Sequence, residues 1–525
     1  MRLRFLAAAA PLLVAGIVSL PACDEQCVRL GNCGPYDGPT ASTSSVGGAG
    51  SSSSSETGST SSQGTGGGPP AGCELAEGKP IGADCGVFVK AGGAGDGKQE
   101  SPLGDLQEAI AATGVSPRVY ICGSDSFVGS ITLPGGVSLF GGLDCATWTY
   151  AAANVRPRVQ GSANLPALTV AGGSGMSVVD SVDVESAAAT ALGVSSVVVD
   201  VISTELELRN SDLTAGDGAP GADGTDAGSQ AMQAPGGGTG AIAGSVPPNG
   251  GLASATNTCP DGATNGGKGG DGGTAPSGSG VSGNAGDAGS GGNPGIGETV
   301  AGWSCAVGGT NGGVNPGTFG MDGSAGTGAM AVGTLSDQGY ANGAGADGTV
   351  GLKGQGGGGG GGSKATAATN GAGGGGGGAG GCGGKRGTGG GGAGSSIGLL
   401  SFKSTVTVVN VSVALGAGGV GGTGGDGQLG QPGGPVGVGG MTLGGAKAGC
   451  AGGNGGDGGH GGSGGGGRGG HAIGIAYAGT SPGGTITVTT PGTAGVGGPG
   501  GTNQIDQGGK GDDGLVAALQ ALPES

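Results

Sequence analysis

An all-β solenoid interrupted by large glycine-rich insertions is the architecture this sequence predicts, and three observations point to it. Of 525 residues, 148 are glycine and only 2% are aromatic. Glycine loses the most backbone entropy on ordering and brings no side chain to bury, so a conventional core cannot run through the whole chain. Residues 119–208 instead alternate short β-prone runs with Gly, Pro or Asn punctuation. Further along, a small-residue turn, a β-run and a glycine tract recur in that order three times.

The chain opens with a charged n-region, Arg2 and Arg4, and an apolar stretch from Phe5 to Ile17, ending in Leu20-Pro21-Ala22-Cys23. That order describes a secretory signal peptide over residues 1–22. Its end resembles the lipobox of bacterial lipoproteins, which implies a lipidated Cys23 at the start of the mature chain. Residues 23–72 then form a tether, with Gly38 to Ala71 almost entirely Ser, Gly, Thr and Pro. Roughly 35 such residues reach about 30–35 Å. The expected location is the outer membrane or cell surface. Asp24, which in enterobacterial lipoproteins favours retention, keeps the inner membrane open.

Folding signals begin at Cys73 and define a segment 73–214. Ser101-Pro102 reads as N-cap and first helical residue, with Leu103, Leu106 and Ile110 at helical spacing through Thr113. Strand-like runs follow at 119–122, 130–133, 137–140, 156–160, 167–170, 176–184 and 195–208. One helix ahead of many short strands in extended series indicates a solenoid rather than hairpins.

Residues 97–110, Gly-Lys-Gln-Glu-Ser-Pro-Leu-Gly-Asp-Leu-Gln-Glu-Ala-Ile, with Val119-Tyr120-Ile121-Cys122-Gly123 and the run Ile131 to Gly142, resemble the entry turns of pectin-lyase-like proteins. The resemblance covers roughly 97–213 and implies a right-handed parallel β-helix whose first coil is capped by the helix. Two further coils are expected at 396–415 and 471–491. Glycine-rich insertions are expected at 215–395 and 416–470, with a glycine-rich C-terminal segment at 492–525.

Gly452 to Ser463 reads as four Gly-Gly-X triplets, with Asn454, Asp457, His460 and Ser463 at X. Period three matches polyproline II geometry, three residues per turn with no internal hydrogen bonds. Two bare faces would let such strands bundle while X faces solvent; a solvated, disordered linker is the competing expectation. The tracts look like the polyglycine II bundles of glycine-rich antifreeze proteins and phage tail adhesins. They also resemble the PGRS repeats of mycobacterial surface proteins, without that family's N-terminal domain.

With Cys23 set aside, Cys27, Cys33, Cys73, Cys85, Cys122, Cys145, Cys259, Cys305, Cys382 and Cys450 remain, an even set that favours disulfides in an exported chain. Sequential pairing is the simplest scheme. The net charge of −17, with no basic run beyond Lys385-Arg386, excludes a nucleic-acid partner. No metal, cofactor or catalytic residue is expected. His460 reads as one more X residue and His471 as a turn residue. Asp217, Asp223, Asp226, Asp271, Asp426 and Asp457 read as solvated charge, since the calcium-binding nonapeptide repeat is missing. The expected function is structural, adhesive or matrix-binding, with the membrane and surface glycans as partners. The alternative is a β-helix polysaccharide lyase or glycoside hydrolase. Its discriminator is a carboxylate cluster beside Arg or Lys, and Asp180, Asp183, Glu185, Asp200 and Glu207 look scattered.

Overall fold

The computed structural model describes residues 72–115, 117–151, 156–287 and 291–525. The signal segment, nearly all of the tether, and Cys23, Cys27 and Cys33 lie outside the described residues.

In chain order, β1 (Val87–Val89) precedes α1 (Leu106–Ala111), the one α-helix among the described residues. Then come β2 (Arg118–Cys122), β3 (Ser126–Val128), β4 (Ile131–Gly135), β5 (Ser138–Leu143), β6 (Arg158–Gln160), β7 (Leu168–Gly173) and β8 (Met176–Asp180). The chain continues through β9 (Asp183–Glu185), β10 (Ser196–Ile202), β11 (Glu205–Arg209) and β12 (Asp212–Thr214). Two antiparallel hairpins sit inside the first glycine tract, β13 (Asn257–Cys259) with β14 (Gly262–Thr264), and β15 (Thr334–Ser336) with β16 (Gly339–Ala341). After it come β17 (Ser396–Phe402) and β18 (Thr405–Ala414), then β19 (Ala472–Ala478), β20 (Gly483–Thr490) and β21 (Val516–Ala521).

Apart from the hairpins, every strand pairing is parallel, and the strands visit three stacks in rotation. One stack runs β4, β7, β10, β17, β19, β21. A second runs β1, β2, β5, β8, β11 and the first half of β18. The third runs β3, β6, β9, β12, the second half of β18 and most of β20, whose first residues continue the second stack beside Thr407 and Val408. The fold is all-β, as the sequence predicts.

Inward-facing aliphatic side chains from all three stacks, among them Leu133, Val199, Leu208, Leu213, Leu399 and Val413, share one core. In β18 the inward set changes phase, from Val406 and Val408 to Val411 and Val413. Asn410, at φ 53°, makes that turn. The same device splits two runs that the sequence joins: Ser181 (φ 59°) separates β8 from β9, and Ser203 (φ 52°) separates β10 from β11.

Two expectations need correction. The helix starts at Leu106, capped by Asp105, whose carboxylate accepts the Glu108 amide at 2.7 Å. Leu103 is drawn instead into backbone bonds with Phe88 and Lys90, so the helix cannot begin before it. The C-terminal segment also contains a strand, β21, which pairs with β19.

The glycine tracts are ordered arrays of extended strands with a three-residue hydrogen-bond period. In 373–381, Gly373, Gly376 and Ala379 donate to Ala241, Gly238 and Pro235. Gly374 and Gly377 donate to Gly270 and Gly267, while Gly375, Gly378 and Gly381 donate to Cys450, Gly453 and Gly456, all at 2.8–3.0 Å. Carbonyls of the same segment accept from Gly251, from Gly354, Gly357 and Gly360, and from Gly434, Gly437 and Gly440. One strand therefore bonds six neighbours, which is what a backbone turning 120° per residue permits.

A Cβ on Gly376, Gly377 or Gly378 would lie 2.0 Å from the carbonyl oxygen of Leu252, Gly357 or Gly434 respectively, so each successive residue must be bare on a different side. Burying such a backbone is possible because its amides are paired. At the X positions Asn454 and Asp457 are exposed, as expected, and His460 is partly so, whereas Ser463 is buried. Asn454, Asp457 and His460 turn their side chains onto the amides of Val436, Gly433 and Gly430. Each tract leaves the end of β12, β18 or β20 and returns at the start of β17, β19 or β21.

Candidate functional site

The carboxylates that look scattered in the sequence converge on arginines once the coils are stacked. Asp180 at the end of β8 and Glu207 in β11 flank Arg209, at 3.2 and 3.8 Å from its Nε. Asp183 and Asp212 occupy matching positions on β9 and β12 and share Arg156, which lies 3.1 Å from Asp183 and also pairs with Asp212. Glu185 pairs with Arg158. Asp200 is not part of this group: it lies on β10, in another sheet, buried, and burial pushes its carboxyl up to about 6.

Turn residues connect the two groups. Asn210, at φ 49°, donates its side-chain amide to Asp180 at 2.9 Å, and the Ser181 hydroxyl donates to the same Asp180 oxygen at 2.9 Å, with the Tyr150 hydroxyl 2.8 Å from Ser181. The Asp212 amide donates to Asp183 at 3.0 Å, and Ser412 donates to Asp212. Burial raises the Asp183 carboxyl above its ordinary range, against the pull of Arg156. Burial also raises Asp212, but the bonds from Ser412 and Arg156 outweigh it and leave that carboxyl lowered.

Two cavities flank this polar strip. One, of about 390 Å³, is lined by Glu74, Arg118, Phe140, Met176, Asp180 and Arg209. The other, of about 530 Å³, is lined by Glu77, Tyr150, Arg156, Asn210, Asp212 and Asn410. Arg118 is fixed by its bond to the Cys73 carbonyl and lies 5.4 Å above the Phe140 ring. The mixture of guanidinium, amide and carboxylate groups can bind a polyhydroxylated ligand.

The arginines and Tyr150 are absent from the sequence reading. Their signal is a spacing of 27–29 residues, one circuit of the three stacks, linking 156, 183 and 212 and linking 180 with 209.

The tract aspartates are exposed, apart from the half-buried Asp271, as solvated charge would be, and each also accepts a backbone amide. Asp217, Asp223 and Asp226 accept the amides of Ala417, Thr423 and Asp426; Asp426 accepts Thr502, and Asp271 accepts Gly250. Among the described residues no group of three His, Cys, Asp or Glu side chains is placed to hold a metal.

His471 stands immediately before β19, at the start of that β-run, and is buried. Its Nδ1 accepts the Leu515 amide at 2.9 Å, and its Nε2 lies 3.1 Å from the Val332 carbonyl.

All eight described cysteines are bonded. Cys73–Cys85 and Cys122–Cys145 follow the sequential scheme. Cys259 and Cys305 do not pair with each other: the bonds are Cys259–Cys382 and Cys305–Cys450, each with Cα atoms 5.2 Å apart. The glycine array sets strands side by side that are far apart in sequence, so these bonds fasten lateral neighbours.

Comparison with protein-family models, curated proteins and solved structures returned no match.

Proposed function

We propose that this chain is an exported, lipid-anchored, non-enzymatic protein with a structural or adhesive role at the cell surface. In this reading it is a right-handed parallel β-helix that carries a polyglycine II slab. Rotation of the strands through three parallel stacks supports the β-helix, and the six-neighbour glycine array supports the slab.

The observation that carries the non-enzymatic reading is that the groove carboxylates are already engaged. Asp180 holds Arg209, Asn210 and Ser181; Asp212 holds Arg156 and Ser412; Asp183 holds Arg156 and a backbone amide. A general acid or base must reach a substrate proton, whereas these groups fix arginine and asparagine donors for recognition. Surface glycans are the ligand class proposed for the groove, and Cys23 is the proposed anchor.

A polysaccharide lyase or hydrolase remains the second reading, favoured by one observation. The neighbouring Asp183 and Asp212 have carboxyls shifted in opposite directions, as acid–base pairs do. A glycan-array screen with reducing-end release measured in parallel separates the two. Binding without release is the expected result; release that is lost in Asp183→Asn and Asp212→Asn would establish the enzyme.

A further inference from the structure

The four turns that close the glycine array at its end away from the β-strands meet in one place. Gly244 donates to the Asn370 carbonyl, Ala275 to the Asn370 side chain, Ser277 to Thr366, Thr366 to Gly444, and Ala243 to Met441. Beneath them Ala243, Ala372 and Ala446 form a small buried cluster. The turn at 364–370 lies 25 residues before β17, about 78 Å along an extended strand at about 3.1 Å per residue.

This end face is apolar and exposed. Val246 is 88% exposed, Met441 74%, Leu443 55% and Ile242 51%. Pro247 and Pro276 stand beside them, also exposed. Exposed apolar side chains gathered on turns mark an interaction surface.

Its charge singles it out further. The chain has 36 acidic residues, yet turns 241–249, 274–279, 364–370 and 441–448 contain none. They contain two cations, Lys364 and Lys447, both exposed. The carboxylate nearest to them, Glu298, is buried, pairs with Lys447 at 2.8 Å and accepts the Lys364 amide.

We propose that this end face docks onto a lipid surface, with Ile242, Val246, Met441 and Leu443 entering the interfacial layer and Lys364 facing anionic headgroups. Apolar groups on a cation-bearing, acid-free rim are the combination such an interface takes. Elsewhere the acidic chain is repelled by anionic lipid, so the rest of the slab stands away from the surface. The contact shares no residue with the polar groove.

The test uses the full-length chain carrying Cys23→Ser, so that no acyl group on that cysteine can supply the binding. Flotation with vesicles of phosphatidylcholine, and of phosphatidylcholine with phosphatidylglycerol, measures partitioning. The parent should float with both, more strongly with the anionic vesicles. The double variant Met441→Asp/Leu443→Asp should lose about tenfold or more, the scale of withdrawing two apolar side chains and adding charge. Lys364→Glu should erase only the preference for phosphatidylglycerol. These side chains are exposed, so an unchanged circular dichroism spectrum and melting curve show that the fold is intact. No flotation of the parent, or equal flotation of parent and double variant, overturns the proposal; a protein or glycan partner would give the first of these results.

Discussion

The Asn410 side-chain amide donates to the Asn210 side-chain oxygen at 3.0 Å, although 200 residues separate them. Both residues have positive φ and both turn their strands at the same corner. The same offset of 200 recurs in Ser196 beside Ser396, Glu205 beside Thr405, and Asp217 accepting the Ala417 amide. Consecutive coils therefore stack in register while the glycine tract between them folds as an outward excursion whose first strand continues the stack.

Side-chain intrusion should separate bare faces from X positions. Adding a Cβ at Gly455 or Gly456 would place it 1.9 Å from the Ala379 carbonyl oxygen or 2.0 Å from that of Thr318. Gly455→Val and Gly456→Val should each cost several kcal/mol, at least the ~1–3 kcal/mol of overpacking. Asp457→Ala and His460→Ala, which remove one acceptor each, should cost about 1 kcal/mol. Chemical denaturation of the four variants reads the contrast.

Disulfide mapping tests the lateral arrangement. Non-reducing peptide mass spectrometry should recover Cys259 with Cys382 and Cys305 with Cys450. Each closes a loop of more than 100 residues, for which chain entropy predicts about 4–5 kcal/mol. Cys382→Ser should therefore lower the denaturation midpoint more than Cys85→Ser, whose loop spans 12 residues.

Opposite pH dependences are expected from two buried groups. Burial raises Asp200 to about 6, so the folded state holds its proton more tightly than the unfolded state does. Stability from this group is then lost as pH rises from about 4 to 6, up to about 3 kcal/mol. Asp200→Asn should stabilise the protein at pH 7 and have no such effect below pH 4. Burial lowers His471 to about 4, so its contribution is present above the ordinary histidine value and is lost as pH falls from 6.5 toward 4. Protonation would set a second N–H against the Leu515 amide. His471→Gln should flatten that acid limb, with urea titrations from pH 3.5 to 7.5 as the measurement.

Much of the β architecture was legible because its alternation is local. In 405–414 and in 196–202 the β-branched residues announce strands without knowledge of their partners. Positive-φ turns at Ser181 and Ser203 were not legible, since serine gives no glycine-like signal there. Period three disclosed extended glycine strands but not their neighbours, because bare faces are interchangeable until the whole array is assembled. That is why Cys259–Cys382 could not be read from spacing. The groove stayed hidden for a related reason: Arg156, Asp183 and Asp212 meet only when the coils are set in register.

The central claim, that the glycine tracts are a hydrogen-bonded array, is tested most directly by amide hydrogen exchange across 371–381 and 450–470. Interstrand bonds from every side predict exchange slowed by about a thousandfold or more relative to a free peptide, which corresponds to some 4 kcal/mol of opening free energy. The slowest amides should be those of Gly375, Gly378 and Gly456, each enclosed by neighbouring strands. Complete exchange within seconds over both segments would contradict the account and leave the glycine tracts as solvated linkers between β-strands.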